Sequence, residues 1–529
     1  MLGGLIMKSR KLAFVLVCLL LLTLVLSACT SSSTVQTDNE NSNSSGGKDT
    51  IGTSTSDSKD SLEEVTLHFY FFDGKKSKTD YVWEKISKKY KDKLNAKFDV
   101  QFIAGTDYKD KMLVKISAGD KWDLNFDADW VSYFQMINRD AYMPLDDLLP
   151  VYAPDLYATY QKSGVLEAAK SKGKIVALPW TMVMTQRPFF QWRGDLAEAA
   201  GIDVDPSSIK TIEDVDALLY KLKEAYPDRY TIEVSGKDVF CAKYDLIPIS
   251  HNFVFNAKEW QNNNKITIEH FALTDAYREL AHYGWKWQKD GLIWADVLVD
   301  QLDHNQLIDQ GKLITKWGTY EYARTKRAWV EEGARWDYSS LYDDKIWANR
   351  TPLANCVAIP VTSENPERTL MFLNLLETDK ELYDMVHYGI LGETYELNGE
   401  EAVYPEGMNQ ANSNYMDWGG RWALWKPQFM RPDSLYHPNF WVEEKEFAES
   451  NPNNIVSPLE GFNFNTESVT TQVAQLDQIF SDANRMIDVG LVDNADAAVD
   501  KLIKDLNAAG LDDVRQEMQK QINEFLSSK

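Results

Sequence analysis

Acidic and aromatic residues stand together where the strands of this chain are predicted to end, and that combination suits one chemistry well. Asp73 follows the apolar run 65–72. Asp127, Asp129 and Trp130 follow 122–126. Trp180 closes 174–180, Trp317 closes 312–317, and Tyr320 comes just after. A sugar presents apolar C–H faces and a rim of hydroxyls. Large aromatic rings bury about 150–250 Å² each and can cover a face, while carboxylates, amides and guanidinium groups serve the rim. Other chemistries lack their signatures. There is no phosphate-binding glycine loop, EF-hand loop or Gly-x-Ser-x-Gly elbow. No Cys/His cluster has metal-ligand spacing, so neither a metal nor a cofactor is expected. A secreted carbohydrate-active enzyme stays as the rival, because the carboxylate pair of a glycosidase, about 5–9.5 Å apart, is not measurable in one dimension.

Periodicity supplies the elements that hold these residues. The run 65–72 (VTLHFYFF) is rich in β-branched and aromatic residues and is predicted as a strand. Segments 98–103 and 122–126 are predicted as two more. Between them, Val82, Ile86, Tyr90 and Leu94 recur every fourth position over 81–94. Tyr108, Met112 and Ile116 form a second helical stripe closed by Gly119, and 130–137 is helical again. Strand–helix alternation makes a parallel sheet with right-handed crossovers. Ligands of such sheets bind outside the carboxyl ends of the strands, which puts Asp73, Asp127, Asp129 and Trp130 at a binding edge. A second α/β region follows. It has strands at 174–180, 189–192, 312–317 and 357–360, a helix opened by Arg193-Gly194-Asp195-Leu196, a helix from a Thr211 cap through Ala225, and a helix at 366–376.

The first thirty residues carry an export signal. Lys8, Arg10 and Lys11 precede an uncharged run, 12–26, which ends in Leu26-Ser27-Ala28-Cys29. The run is short of the roughly 20 apolar residues that a membrane span needs. Translation can begin at Met1 or Met7. From Thr30 to Ser61 the chain is mostly Ser, Thr, Asn, Asp and Gly, too polar to bury a core, and is expected to be a flexible tether. The remainder, about 470 of 529 residues, exceeds the ~250–300 at which single cores stop growing, so two lobes are expected. The net charge of −24 argues against nucleic acid and against electrostatic adhesion to anionic lipid. Lys85, Lys88, Lys89, Lys91 and Lys93 form a solvated helix face. Cys241 and Cys356 either pair or remain as two buried thiols.

Two resemblances sharpen this. Leu26-Ser27-Ala28-Cys29 resembles the bacterial lipobox, which implies cleavage before Cys29 and lipid on its sulfur. The segment from Lys174 to Asp195 looks like the crossover of family 1 extracellular solute-binding proteins, which are similar to maltose-binding protein. Met143-Pro144-Leu145-Asp146-Asp147-Leu148 matches a loop-to-helix element of that family. Residues 363–376, Tyr388-Gly389-Ile390-Leu391-Gly392-Glu393, Pro458-Leu459-Glu460-Gly461-Phe462-Asn463-Phe464 and Ala508-Ala509-Gly510-Leu511-Asp512 resemble its Gram-positive lipoprotein branch.

The resemblance implies an α/β, two-lobed, periplasmic-binding-protein-like (Venus flytrap) fold of type II. Its segments would be a signal peptide at 1–28, a tether at 29–61, lobe 1 at 62–184 and 358–400, and lobe 2 at 186–356 and 401–529. It places a crossing near Thr185, which adds Gln186 and Arg187 to Asp73, Asp127, Trp130, Trp180, Trp317 and Tyr320 as ligand contacts. Trp130 and Trp317 would face each other across the cleft. Trp347, Trp418, Trp422 and Phe464 are weaker candidates, and Arg187 leaves an acidic sugar open. The implied role is a monomeric, non-catalytic receptor on the extracellular face of the cell membrane. It would be held there through the lipid anchor only, take a small-molecule carbohydrate, serve ABC permease subunits, and have no nucleic-acid partner. A ligand-presenting receptor for a sensor kinase and a peptide binder are the alternatives within the binding class.

Overall fold

The structure is a computed structural model, and it describes residues 62–302, 304–319, 334–410, 412–433 and 440–528. The signal segment, the tether, Cys29 and Tyr320 lie outside these residues.

The predicted strand–helix alternation forms the first sheet. Its strand order is Ala96–Ile103, Val65–Phe72, Leu124–Asp127, Cys356–Ala358, Leu178–Pro179. The first three strands run parallel, and Cys356–Ala358 runs antiparallel to both of its neighbours. Helices Thr79–Lys89 and Gly105–Ala118 make the crossovers. Gly119 ends the second with a left-handed φ of 72°, the conformation glycine adopts without strain. Leu67, Phe69 and Phe71 point into a core shared with Leu124, Phe126, Val357 and Phe372. On the lysine-rich helix face, Lys88 pairs with Glu84, Lys89 with Glu381 and Lys93 with Asp379, all on the surface.

The predicted strand 174–180 is broken in two. Lys174–Ile175 turns back on Lys170–Ser171 through Lys172 and Gly173, both at positive φ (51° and 77°), as a two-residue hairpin requires. Leu178–Pro179 alone joins the first sheet.

The second core is built differently from the first. Phe189–Arg193 lies antiparallel between Thr315–Gly318 and Trp336–Ser340. A second antiparallel sheet joins Leu246–Pro248, Phe253–Asn256 and Ile268–His270. Helices Ile212–Ala225, Asp275–Lys289, Thr470–Asp488, Ala495–Ala508 and Leu511–Ser528 pack around these sheets and share the core. Thr211 caps the first of them as predicted: its side chain accepts from Asp214 N while Asp214 accepts in return, an arrangement worth about 1 kcal/mol.

The chain passes between the cores three times. The first core holds residues up to Leu178, from Leu353 to Tyr415, and on to Leu424. The second holds residues from Phe190 to Trp347 and from Leu459 onward. Two crossings are tied side by side: Arg350 N donates to Met184 O at 2.8 Å, and Thr185 bridges Asn349. The third is tied to the second where Trp347–Ala348 pairs with Asn454–Ile455.

This arrangement corrects two expected boundaries. Leu353 and Cys356, assigned to lobe 2, belong to the first core, as do Ala402 and Tyr415 to Leu424. The reason is visible at Trp418. Its ring packs edge-on against Phe71 at 4.9 Å and its indole N–H donates to Val386 O at 2.9 Å. Cys241 and Cys356 are both buried free thiols, one in each core.

Candidate ligand-binding cleft

The carboxyl ends of Val65–Phe72 and Leu124–Asp127 open on a pocket of about 450 Å³, a size typical of small-molecule sites. Trp130, Trp180, Trp418, Trp422 and Trp425 wall it. Phe72 packs its ring 5.5 Å from Trp130 and 6.3 Å from Trp422. The Arg350 guanidinium lies 5.2 Å over the Trp180 ring. Asp73 sits on the rim with φ at 70°, a conformation that aspartate tolerates better than most residues. Asp417 is held by Arg421 at 2.6 Å and by the Tyr404 hydroxyl.

Gly419 lets the aromatic loop lie directly on the strand end. A Cβ there would sit 2.3 Å from Phe72 O and 2.6 Å from Asp73 Cβ. Two buried groups of the pocket have no protein partner, the Trp180 indole N–H and the Asn355 amide oxygen. Such a group costs about 1–3 kcal/mol when left unsatisfied, and a ligand hydroxyl reaching either one recovers it.

A second cavity, about 540 Å³, adjoins the first at Trp130, which lines both. The first-core side contributes Asp129, Phe134 and Leu353, and the second-core side contributes Trp347, Leu459 and Phe462. Trp130 is 50 % exposed. Its indole N–H is anchored on Ala354 O at 2.7 Å, which fixes the ring while leaving surface open.

The structure brings four of the predicted contacts to these pockets: Asp73, Trp130 and Trp180 at the first, and Trp130 and Gln186 at the second. It places three elsewhere. Asp127 is fully buried. Its Oδ1 accepts from Ala128 N, Ser132 N and Ser132 Oγ, and its Oδ2 from Tyr142, so it closes a turn and has no surface for a ligand. Burial raises its carboxyl to about 6 against those hydrogen bonds. Arg187 is likewise buried, donating to Asn454 Oδ1, Tyr342 O and Lys345 O, because the chain turns into the second core there. Trp317 fails to face Trp130. Its ring packs on Phe190 at 5.1 Å and its N–H donates to Val234 O, while Gly236 leaves the room it needs.

Among the weaker candidates, Trp347 lines the second cavity, Trp418 and Trp422 line the first, and Phe464 sits in the second core. The sequence reading missed Arg350, Asn355, Asp238, Glu460 and Phe462. Arg350 and Asn355 flank the crossing that leads into Cys356–Ala358, a signal available in the sequence. Asp238 carries none. Desolvation holds the carboxyls of Asp129 and Asp238 above the ordinary range, opposed by Arg350 and Lys237 respectively.

Comparison with known proteins bears on the fold and the family. The profile of the bacterial extracellular solute-binding proteins matches residues 75–381, and a domain of unknown function, DUF3502, matches 458–527. A carbohydrate ABC transporter substrate-binding protein of Streptococcus pneumoniae serotype 4 is 26% identical over 487 residues, 90% of this chain and 95% of that protein. The crystal structure of the N-glycan transport solute binding protein NgtS from Streptococcus pneumoniae superposes with a TM-score of 0.72 at 23% identity, covering 88% of this chain and 99% of the other. An HMO-binding, ABC-transporter-associated solute binding protein from Bifidobacterium longum infantis gives 0.65 at 13% identity, covering 88% and 99%. These likenesses show a two-lobed solute-binding fold. With a family profile spanning more than half of its length, this chain belongs to the bacterial extracellular solute-binding proteins.

Proposed function

We propose that this protein is a lipid-anchored substrate-binding protein of an ABC importer, and that it captures a sugar or oligosaccharide between its two lobes on the outer face of the cell membrane. One observation carries the reading. Two adjoining pockets meet at a half-exposed tryptophan, and the first is walled by five indole rings together with a buried, unpartnered indole N–H and amide oxygen. Rings supply sugar faces and the orphaned groups supply the rim. The relatives' names point the same way: NgtS was crystallised with Man1GlcNAc and with Man5GlcNAc.

Cys29 carries the lipid, and 30–61 is the leash. Lobe 1 comprises the first core and lobe 2 the second. The three crossings act as the hinge, and closure about them brings Trp347 and Phe462 toward Trp130. Driving such an equilibrium from nearly open to nearly closed takes about 5.5 kcal/mol of preference for the closed form, so the ligand must touch both lobes. The protein acts as a monomer, delivers its ligand to the permease subunits and performs no chemistry on it.

Titrating intrinsic tryptophan fluorescence with oligosaccharides and with peptides tests this directly. A saturating response to sugars is expected. A response to peptides alone overturns the carbohydrate assignment, and cleavage products after incubation with a bound oligosaccharide overturn the non-catalytic role.

A further inference from the structure

Trp180 and Asn355 meet at the edge of the first sheet. Leu178–Pro179 runs antiparallel to Cys356–Ala358, with Pro179 opposite Cys356, and one step further Trp180 N donates to Asn355 O at 3.1 Å. Residues opposite each other in an antiparallel pair carry their side chains on one face, with Cβ atoms about 4.5–5.5 Å apart. Both residues line the tryptophan-walled pocket.

The two side chains are buried and incompletely bonded. Trp180 is 2 % exposed and Asn355 4 %, and neither the indole N–H nor the amide oxygen has a partner among the described residues. Neither atom is open to bulk water, so a partner must come through the pocket. Trp180 has no ring face to offer a sugar. Trp425 stacks on it at 6.1 Å, and the Arg350 guanidinium lies 5.2 Å over it. What remains is the edge that carries the N–H. Trp130 is the opposite case, half-exposed and with its own N–H committed to Ala354 O. One tryptophan of the pocket presents a face and the other an edge.

An N–H beside an amide oxygen suits a hydroxyl, which accepts and donates through a single atom. An ether oxygen can only accept, an ammonium can only donate, and a C–H does neither.

We propose that Trp180 and Asn355 are the specificity-determining pair of this pocket and read one sugar hydroxyl between them. The indole N–H donates to the hydroxyl oxygen, and the hydroxyl donates in turn to the Asn355 amide oxygen. The proposal rests on the carbohydrate reading above. A site whose buried polar groups go unpaired when a hydroxyl is missing discriminates strongly against the analogue that lacks it.

Calorimetric titration of the full chain tests it, with neutral gluco-, galacto- and manno-oligosaccharides as probes and Man1GlcNAc among them. The tightest binder is then compared with its monodeoxy derivatives. At one position, loss of the hydroxyl should weaken binding to the parent protein at least tenfold. Trp180→Phe and Asn355→Leu should each weaken the intact sugar at least tenfold. The double variant should bind less than threefold more weakly than the worse single variant, because a shared contact is lost only once. In that double variant the deoxy derivative should bind within threefold of the intact sugar. The melting temperature of ligand-free Asn355→Leu should hold or rise, since an apolar group replaces an unpaired buried amide; a lower one makes the amide a structural group and overturns the pair. Single-variant losses that multiply overturn the shared hydroxyl. Variants that bind as tightly as the parent overturn the pair, give its two atoms to resident water and leave carbohydrate capture standing. A deoxy series in which no position costs the parent tenfold does the same without any variant. A parent that binds no oligosaccharide of the panel overturns the carbohydrate function itself.

Discussion

Trp180 and Trp425 stack with ring centroids 6.1 Å apart and planes 13° from parallel. Trp180 stands just before the first crossing between the cores and Trp425 just before the third, and both line the tryptophan-walled pocket. The stack therefore joins two crossing segments to the wall that a sugar would touch. An aromatic pair adds about 0.5–1.5 kcal/mol beyond the area it buries. Trp425→Ala should lower oligosaccharide affinity at least tenfold and also lower the melting temperature, whereas Trp425→Phe should restore most of the stability. Calorimetric titration alongside thermal unfolding checks this, and unchanged affinity in Trp425→Ala would place the sugar outside this pocket.

Arg187 is predicted to matter for stability and not for ligand. It is buried at the start of the second core and donates to two separate segments, the turn at Tyr342 and Lys345 and the strand residue Asn454. Removing its side chain strands those acceptors, a loss of about 2–4 kcal/mol. A lysine lacks the planar fork that spans them. Arg187→Met should lower the unfolding free energy by that amount, read as a lower urea midpoint, while the folded fraction retains its oligosaccharide affinity. An affinity loss with no loss of stability would return Arg187 to the binding site.

Much of the first lobe was legible because its signals are local. The β-branched and aromatic run over 65–72, the four-residue stripe over 81–94 and Gly119 each specify an element without help from distant residues. Strand ends then follow from topology, which is why Asp73 and Trp130 lie on a strand-end pocket as that reading expects. Asp127 shows where that argument stops. It is at a strand end, yet Tyr142 and Ser132 fold back over it, and a contact 15 positions away leaves no periodic trace. Trp317 failed for a related reason. Its strand runs antiparallel to Phe189–Arg193, so a rule for parallel sheets did not govern which way its end faces. The loop 417–425 could be recognised as aromatic but not assigned, since its seat on Phe71 and Phe72 depends on packing across 350 residues of chain.

Gly419 is the narrowest point of that seat. Any side chain there must displace Phe72 O or the Asp73 Cβ, and both are backbone or near-backbone atoms with nowhere to move. Overpacking of this kind costs about 1–3 kcal/mol. Gly419→Ala should push the loop off the strand end, open the wall made by Trp418 and Trp422, and reduce both stability and oligosaccharide affinity. Gly407→Ala is the control, with a positive φ of 79° and nothing within 4 Å; it should lose some stability through backbone strain and keep its affinity. Equal affinity losses in the two variants would show that the loop's seat is not what shapes the pocket.

Two buried histidines and one buried aspartate contribute to the acid limb of stability with opposite signs. Burial holds His387 at about 3 and His270 at about 4. His387 Nδ1 lies 3.2 Å from Tyr383 O and donates to it, while His270 Nδ1 accepts from Ala272 N. Both rings are neutral in the fold, with no partner for Nε2. An unfolded histidine titrates near 6.5. Below that pH the unfolded chain takes up protons that the folded chain refuses, and each histidine costs up to about 1.4 kcal/mol per pH unit. Asp127 acts in the opposite sense. Its folded value of about 6 lies above its unfolded value near 3.9, so between these the folded state holds a proton that the unfolded state has released, and stability gains as pH falls from 6 to 4. Asp129 and Asp238, whose carboxyls burial also raises, oppose the histidines in the same way as Asp127. Relative to the parent, His387→Gln should make the change of urea midpoint from pH 6.5 to 4.5 more favourable to the fold, and Asp127→Asn should make it less favourable by removing one opposing group. Midpoints at half-unit pH steps for the three proteins decide the matter, and an identical slope in all three would mean that these side chains do not govern the limb.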